Sequence, residues 1–301
     1  MLASVLLASA SIFHGTPAEL PAFVSLSQGG HFCGGSLIAP DRVLTAAHCV
    51  QGARPGSFRV IVGGRARAWR GTYFSERYRV IPSPVAPEDV NASAAVRDVA
   101  VIVLRRPVTD VAPLPLATTA PADGEATVTI GRGMTGPASD VSDAPRSANQ
   151  QVLPAATCKG YFKRLLAPSL HLCTQDPTAN KAQACPGDSG SPVLVTREGV
   201  LQQAGVVSWG GETQRRLCGE GPADVAERVL PHLALLTGPL PERLAPYAIR
   251  TPRVTPAGRC DRGRWGPAGA KVRARWTGRG SQRTCVITAR TAGGWSDYSA
   301  R

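Results

Sequence analysis

Cys185-Pro186-Gly187-Asp188-Ser189-Gly190-Ser191-Pro192 is the stretch on which the reading of this chain turns. Gly187 and Gly190 allow backbone angles that residues with a Cβ resist, so the stretch reads as a tight turn holding Ser189. A serine hydroxyl is a poor nucleophile unless a base takes its proton. In such a turn the N–H groups of Gly187, Asp188 and Ser189 are able to point inward, where they stabilise an oxyanion as it forms. Asp188 would need a cationic partner if buried. Alone, the stretch is equally a polar turn with a surface serine. The catalytic reading requires a base elsewhere in the chain and a group that orients it.

Both are present. Leu44-Thr45-Ala46-Ala47-His48-Cys49 sets a histidine in an apolar run. Arg97-Asp98-Val99-Ala100-Val101-Ile102-Val103-Leu104 sets a carboxylate at the head of an apolar strand. An unpaired Asp98 would be costly there. Holding the His48 imidazole in one tautomer removes that cost. The order His, Asp, Ser along the chain is one of the known orders of such a triad. A zinc site from His31, Cys33, His48 and Cys49 is disfavoured, because the usual Cys-to-Cys and His-to-His spacings are absent.

With these residues the chain resembles the chymotrypsin-like (trypsin-fold) serine proteases. The resemblance is carried by Phe32-Cys33-Gly34-Gly35-Ser36-Leu37-Ile38, Thr45-Ala46-Ala47-His48-Cys49, Asp98-Val99-Ala100-Val101, Gly187-Asp188-Ser189-Gly190-Ser191-Pro192 and Val207-Ser208-Trp209-Gly210. It implies an all-β fold of two six-stranded antiparallel barrels with a C-terminal helix. It also implies acyl-enzyme hydrolysis of protein or peptide substrates, with no metal or organic cofactor. His48 would be the base, Asp98 its orienter and Ser189 the nucleophile. The Gly187 and Ser189 N–H groups would form the oxyanion hole. Gln183 would floor the primary pocket, where trypsin-like members carry Asp, so a non-tryptic preference is expected. Ser208, Trp209 and Gly210 would bind the substrate backbone as an added strand. A freed Ile12 amino group would pair with Asp188, the mark of a zymogen. The family pairs Cys158 with Cys173 and Cys185 with Cys218. Cys33 and Cys49 would staple the His48 turn if joined, and spacing alone leaves the connectivity open. Gly131-Arg132-Gly133 stands where the family usually has Gly-Trp-Gly.

Composition agrees with a β protein. The 301 residues include 32 Gly and 26 Pro, which separate short Val-rich runs. That pattern belongs to sandwiches and barrels. Strands are expected at 21–26, 34–39, 58–62, 78–81, 98–104, 126–132, 193–195 and 201–209. Residues 161–166 read as a short helix, 135–149 as a polar surface loop and 224–236 as the closing helix. Asn91-Ala92-Ser93 has the form of a glycosylation sequon and reads as a loop. Eight cysteines suit an oxidising compartment. Residues 1–11 read as a signal peptide or its remnant, ending near Ala8-Ser9-Ala10, so a secreted, extracellular protein is expected. No apolar run is long enough to span a membrane.

The formal net charge of +13 is unevenly spread. Residues 238–301 hold 13 basic and 3 acidic side chains. The expected layout is a protease domain at 12–237, a Pro-rich linker at 238–252 and a basic module at 253–301 stapled by Cys260 and Cys285. Its charge and its Trp265, Trp276 and Trp295 are suited to an anionic polymer. A monomer is expected. The alternative is an inactive binding protein on a protease scaffold, with the basic tail holding the polymer. Retention of all three triad residues argues against it.

Overall fold

The computed structural model describes residues 12–82, 93–136, 139–210, 218–278 and 283–300. The expected signal segment and Asn91 lie outside them.

Strand Phe23–Ser27 lies between His31–Ala39 and Arg59–Val62. The sheet continues from His31–Ala39 through Arg42–Thr45 and Ala100–Leu104 to Trp69–Phe74. Arg65–Arg67 pairs back onto Arg59–Val62, and only Ala68 separates it from Trp69–Phe74. Taken as one bent strand, residues 65–74 close a ring of six strands.

Ala100–Leu104 shows how the sequence sets the architecture. Side chains alternate across a strand. Ala100, Ile102 and Leu104 enter the first core beside Val24, Leu26 and Leu37. Val99, Val101 and Val103 face the other way, into a second cluster with Leu44, Val206, Val229 and Leu236. That second cluster is the seam between the barrels, which is why the strand is apolar on both faces. Asp98 therefore emerges at the seam.

The second barrel runs Ala126–Gly131, Arg146–Val152, His171–Gln175, Asp224–Arg228, Val200–Trp209 and Pro192–Arg197, each antiparallel to its neighbours, and it closes on itself. Two expectations are corrected here. Residues 146–149 are barrel strand, not loop, because Arg146–Val152 is bonded to neighbours on both sides. Residues 224–228 are strand, not helix, for the same reason, and a 3₁₀ turn at Leu230–His232 leads into a short closing helix at Leu233–Thr237. The Arg42 guanidinium donates to the carbonyls of Leu236 and Gly238 at 2.9 and 2.8 Å, satisfying groups that a helix end leaves bare. The helix expected at 161–166 starts earlier, at Ala155–Phe162, and runs on as a 3₁₀ turn to Leu165.

The interior of this barrel is partly polar. Gln150 Oε1 accepts from the hydroxyls of Thr129 and Thr174 at 3.1 and 3.0 Å. Gln150 Nε2 donates to the Ala182 carbonyl at 3.1 Å and to Asp224 Oδ2 at 2.6 Å. Two donors and two acceptor sites are thus all used.

Beyond the closing helix, Lys271–Thr277, Thr284–Thr291 and Gly294–Ala300 make a three-stranded antiparallel sheet, and Tyr247–Arg250 pairs with Arg264–Gly266. The stretch expected as a linker packs on the first barrel. Leu244 lies over Gly71, where a side chain would collide with it, and the Ala245 N–H donates to the Thr72 carbonyl at 2.8 Å. Its proline content masked these apolar contacts in the sequence. The four disulfides are Cys33–Cys49, Cys158–Cys173, Cys185–Cys218 and Cys260–Cys285. Joined sulfurs at Cys33 and Cys49 exclude them as zinc thiolates.

Candidate active site

The helical turn Ala47–Val50, which follows strand Arg42–Thr45, carries His48 to the seam where Asp98 emerges. The His48 backbone N–H donates to Asp98 Oδ1 at 2.9 Å, and its Nδ1 donates to Oδ2 at 2.7 Å. The Ser208 hydroxyl donates to the same Oδ2 at 2.5 Å. Asp98 is fully buried. Burial alone would raise its carboxyl, but the His48 charge and the bonds from His48 and Ser208 outweigh it, so Asp98 sits below the usual carboxylate range. For His48 burial acts in the lowering direction, and the charge and hydrogen bond of Asp98 prevail and raise it above the ordinary 6.5. With Nδ1 engaged as a donor, neutral His48 has Nε2 as its acceptor.

Ser189 and His48 line one cleft of about 410 Å³. Among the described residues the Ser189 hydroxyl has no hydrogen-bond partner, and His48 Nε2 lies 3.6 Å from Cys49 Sγ. Resting sites of this kind tighten when substrate binds.

Around Ser189 the turn is as tight as the glycines suggest, with Gly187 at φ +98° and Gly190 at φ +83°. The Asp188 N–H donates to the Cys185 carbonyl at 2.8 Å, so it does not face inward as the sequence allowed. The N–H groups of Gly187 and Ser189 have no acceptor among the described residues. The Gly187 carbonyl is held by His31, whose Nε2 donates to it at 2.9 Å while Nδ1 accepts from the Ser25 hydroxyl at 2.7 Å. Burial lowers His31 to about 4, which keeps it neutral. Nothing in the sequence pattern pointed to this part for His31.

Asp188 is fully buried and turned under the loop. Its Oδ1 accepts from Gly133 N–H at 2.6 Å and its Oδ2 from Cys185 N–H at 2.9 Å. Side chains at Gly131 or Gly133 would run into this carboxylate, which explains why both glycines stand while the residue between them is Arg132. Ile12 is fully buried against Ala148 and Ala182.

One end of the cleft is lined by Ala184, Cys185, Pro186, Trp209, Gly210 and Asp224. Gln183 is not part of this lining. Its amide donates to the Gly221 carbonyl at 3.2 Å and accepts from the Gly221 N–H at 3.1 Å. The polar group on the wall is Asp224, whose Oδ2 accepts from Ala184 N–H at 2.9 Å and from Gln150. The sequence reading missed it because it took residue 224 as part of a helix. Ser208, Trp209 and Gly210 line the cleft.

A second carboxylate–imidazole pair is buried nearby. His232 Nε2 donates to Glu227 Oε1 at 2.8 Å and its Nδ1 accepts from the Ser75 hydroxyl at 2.9 Å. Burial raises Glu227.

Comparison with known proteins agrees with this geometry. Residues 12–229 match the family described as Trypsin. A snake venom serine protease of Bothrops insularis is 32% identical over 207 residues, covering 66% of this chain and 75% of that protein. A trypsin of Saccharopolyspora erythraea is 33% identical over 186 residues, covering 60% of this chain and 77% of that one. A thrombin-like enzyme of Trimeresurus albolabris is 32% identical over 197 residues, with 64% and 71% covered. By the match over residues 12–229 and the serine proteases it resembles, the chain belongs to the Trypsin family and is a chymotrypsin-like serine endopeptidase.

Proposed function

We propose that this endopeptidase is secreted and cuts proteins or peptides with Ser189 as nucleophile, His48 as base and Asp98 as orienter. Ser189 Oγ attacks the scissile carbonyl carbon while His48 Nε2 takes its proton. Charge gathers on the carbonyl oxygen, where the Gly187 and Ser189 N–H groups meet it. His48 then gives its proton to the leaving amine, and water hydrolyses the ester on Ser189 with His48 again as base. Asp98 holds the Nδ1 proton and stabilises the imidazolium. The observation that carries this reading is the continuous chain Ser208–Asp98–His48, with links of 2.5 and 2.7 Å, opening on the cleft that holds Ser189.

Secretion is supported by the four disulfides, which persist in oxidising compartments. A cut after Ser11 would create an amino group at Ile12. The burial of both Ile12 and Asp188 suits pairing of that group with the carboxylate.

A neutral side chain before the cut is the primary reading of specificity, because the family's floor position carries the amide of Gln183. The Asp224 carboxylate on the cleft wall favours a second reading, cleavage after Arg or Lys. A digest of a denatured proteome, with cut sites read by mass spectrometry, decides between them. Cuts by the wild type, absent with Ser189→Ala, are expected after neutral residues. Enrichment of Arg or Lys there would establish the Asp224 reading, and equal silence from both proteins would overturn the peptidase assignment of this site.

The tail's charge is also organised. Lys271, Arg273 and Arg275 alternate along one exposed side of a strand, and Arg290 lies opposite Lys271. Such a row suits a linear polyanion. Replacing these four residues by Gln is expected to lower the salt needed to elute the protein from phosphocellulose. Unchanged elution would reduce the row to a solvated face.

A further inference from the structure

The cleft is also lined by Tyr78, Val80, Ala94 and Ala95, with Gln51 and His48. Tyr78 is the large side chain backing this wall, itself only 1% exposed. Its hydroxyl donates to Gln51 Oε1 at 3.5 Å, and Gln51 directly follows the helical turn that carries His48. Burial and the Asp98 charge both push the Tyr78 phenol upward, so it remains a neutral donor.

The support for Tyr78 comes from the far end of the sequence. Its ring sits between Phe74, edge-on at 6.0 Å, and Trp295, nearly parallel at 5.6 Å. The Trp295 indole N–H donates to the Tyr78 carbonyl at 2.8 Å. Around this stack the hairpin is tied down at several points. The Phe74 N–H donates to the Gly293 carbonyl at 2.8 Å. The hydroxyls of Thr291 and Ser296 donate to the carbonyls of Leu244 and Pro246 at 2.6 and 2.7 Å. A Cβ at Gly294 would meet the Phe74 ring at 2.8 Å, so the approach is as close as backbone allows. On its inner side the same segment is bonded to the catalytic strand, through the Ser75 N–H and the Val99 carbonyl at 2.9 Å.

We propose that Trp295 is a positioning residue for the substrate cleft, and that the C-terminal sheet is a working part of the peptidase through its hold on Tyr78. A substrate strand paired with Ser208–Gly210 sends successive side chains to opposite sides. When one enters the Asp224 end, its neighbour turns toward Tyr78 and Ala95. A ring clamped on one face by Trp295 holds in place the wall that this neighbour meets. Without the indole, Tyr78 loses both a stacking partner and the donor that pins its backbone. The wall then has to be ordered at each binding event, which weakens binding more than it slows bond breaking.

This rests on the reading of Ser189 as nucleophile, and the test separates the two. The full-length chain, Trp295→Ala and Trp295→Phe are titrated with a fluorophosphonate to count reactive serines. Each is then assayed per reactive site, on a peptide long enough to cover both ends of the cleft and on a small ester that reaches only the Asp224 end. Trp295→Ala is expected to raise KM for the peptide about tenfold, with kcat and ester turnover changed less than about twofold. Trp295→Phe keeps the stack and is expected to recover most of the loss. Wild-type peptide KM in Trp295→Ala would overturn the proposal. So would equal losses on peptide and ester, which would mark general damage to the fold. A wild type that leaves the fluorophosphonate unreacted would remove the nucleophile reading, and this proposal with it.

Discussion

Ser189→Ala is expected to lower kcat/KM by about 10⁶-fold, the scale seen when a triad loses its nucleophile. The size follows from how the parts depend on one another. Without Oγ, the His48 base has nothing to deprotonate except water, and the ester intermediate cannot form. What remains is substrate binding and the Gly187 and Ser189 N–H groups, which together leave a residual rate of about 10³–10⁴ over water. The fold should be unaffected, because the Ser189 hydroxyl has no hydrogen bond to another described residue. Steady-state kinetics with equal thermal melting of both forms provides the check. A loss smaller than about a hundredfold would mean that another group performs the attack.

Asp98→Asn is expected to cost about 10⁴ in kcat while the cleft keeps its shape. The amide can still sit between Ser208 and His48, but it presents no charge, and it can favour the tautomer that leaves Nε2 protonated. The pH profile gives a second, independent sign. Activity requires neutral His48, so it rises with pH as the imidazole loses its proton. In the wild type that limb is expected above 6.5, because Asp98 raises His48 against the effect of burial. Removing the charge leaves burial acting alone, and the limb should move to lower pH. A limb that stays in place would show that His48 does not feel Asp98.

That Ser189, His48 and Asp98 come together was legible in the sequence because each sits in a short local run. Ser189 needs its glycines, His48 needs its apolar helical turn and Asp98 needs the strand behind it. Strands buried on both faces, such as Phe23–Ser27 and Ala100–Leu104, were legible for a similar reason. Parts defined by distant neighbours were not. Ala94–Val96 is only three residues long, and Trp69–Phe74 is broken in its pattern by Arg70 and Gly71, so both passed unread. Asp224 looked like the start of a helix, and only pairing with Thr174 on the neighbouring strand brings it to the cleft. Tyr78 read as the first residue of a strand, and its role depends on a tryptophan 217 residues away.

Gln150 belongs to the strand that the sequence disguised as a loop, and its four hydrogen bonds have a consequence for how the second barrel assembles. A strand made of Arg146-Ser147-Ala148-Asn149-Gln150-Gln151-Val152 has little apolar contrast between its faces. Hydrophobicity therefore gives it weak instruction about which neighbour each residue should meet. A slip by one position would turn Gln150 outward and bring Asn149 or Gln151 to the inside. The hydroxyls of Thr129 and Thr174, the Ala182 carbonyl and Asp224 would then lose their shared partner together, at about 1–3 kcal/mol for each group left buried without a bond. One amide thus acts as a key that fits a single alignment of four chain segments. Because Asp224 is among them, the strand that aligns the barrel also sets the wall of the cleft.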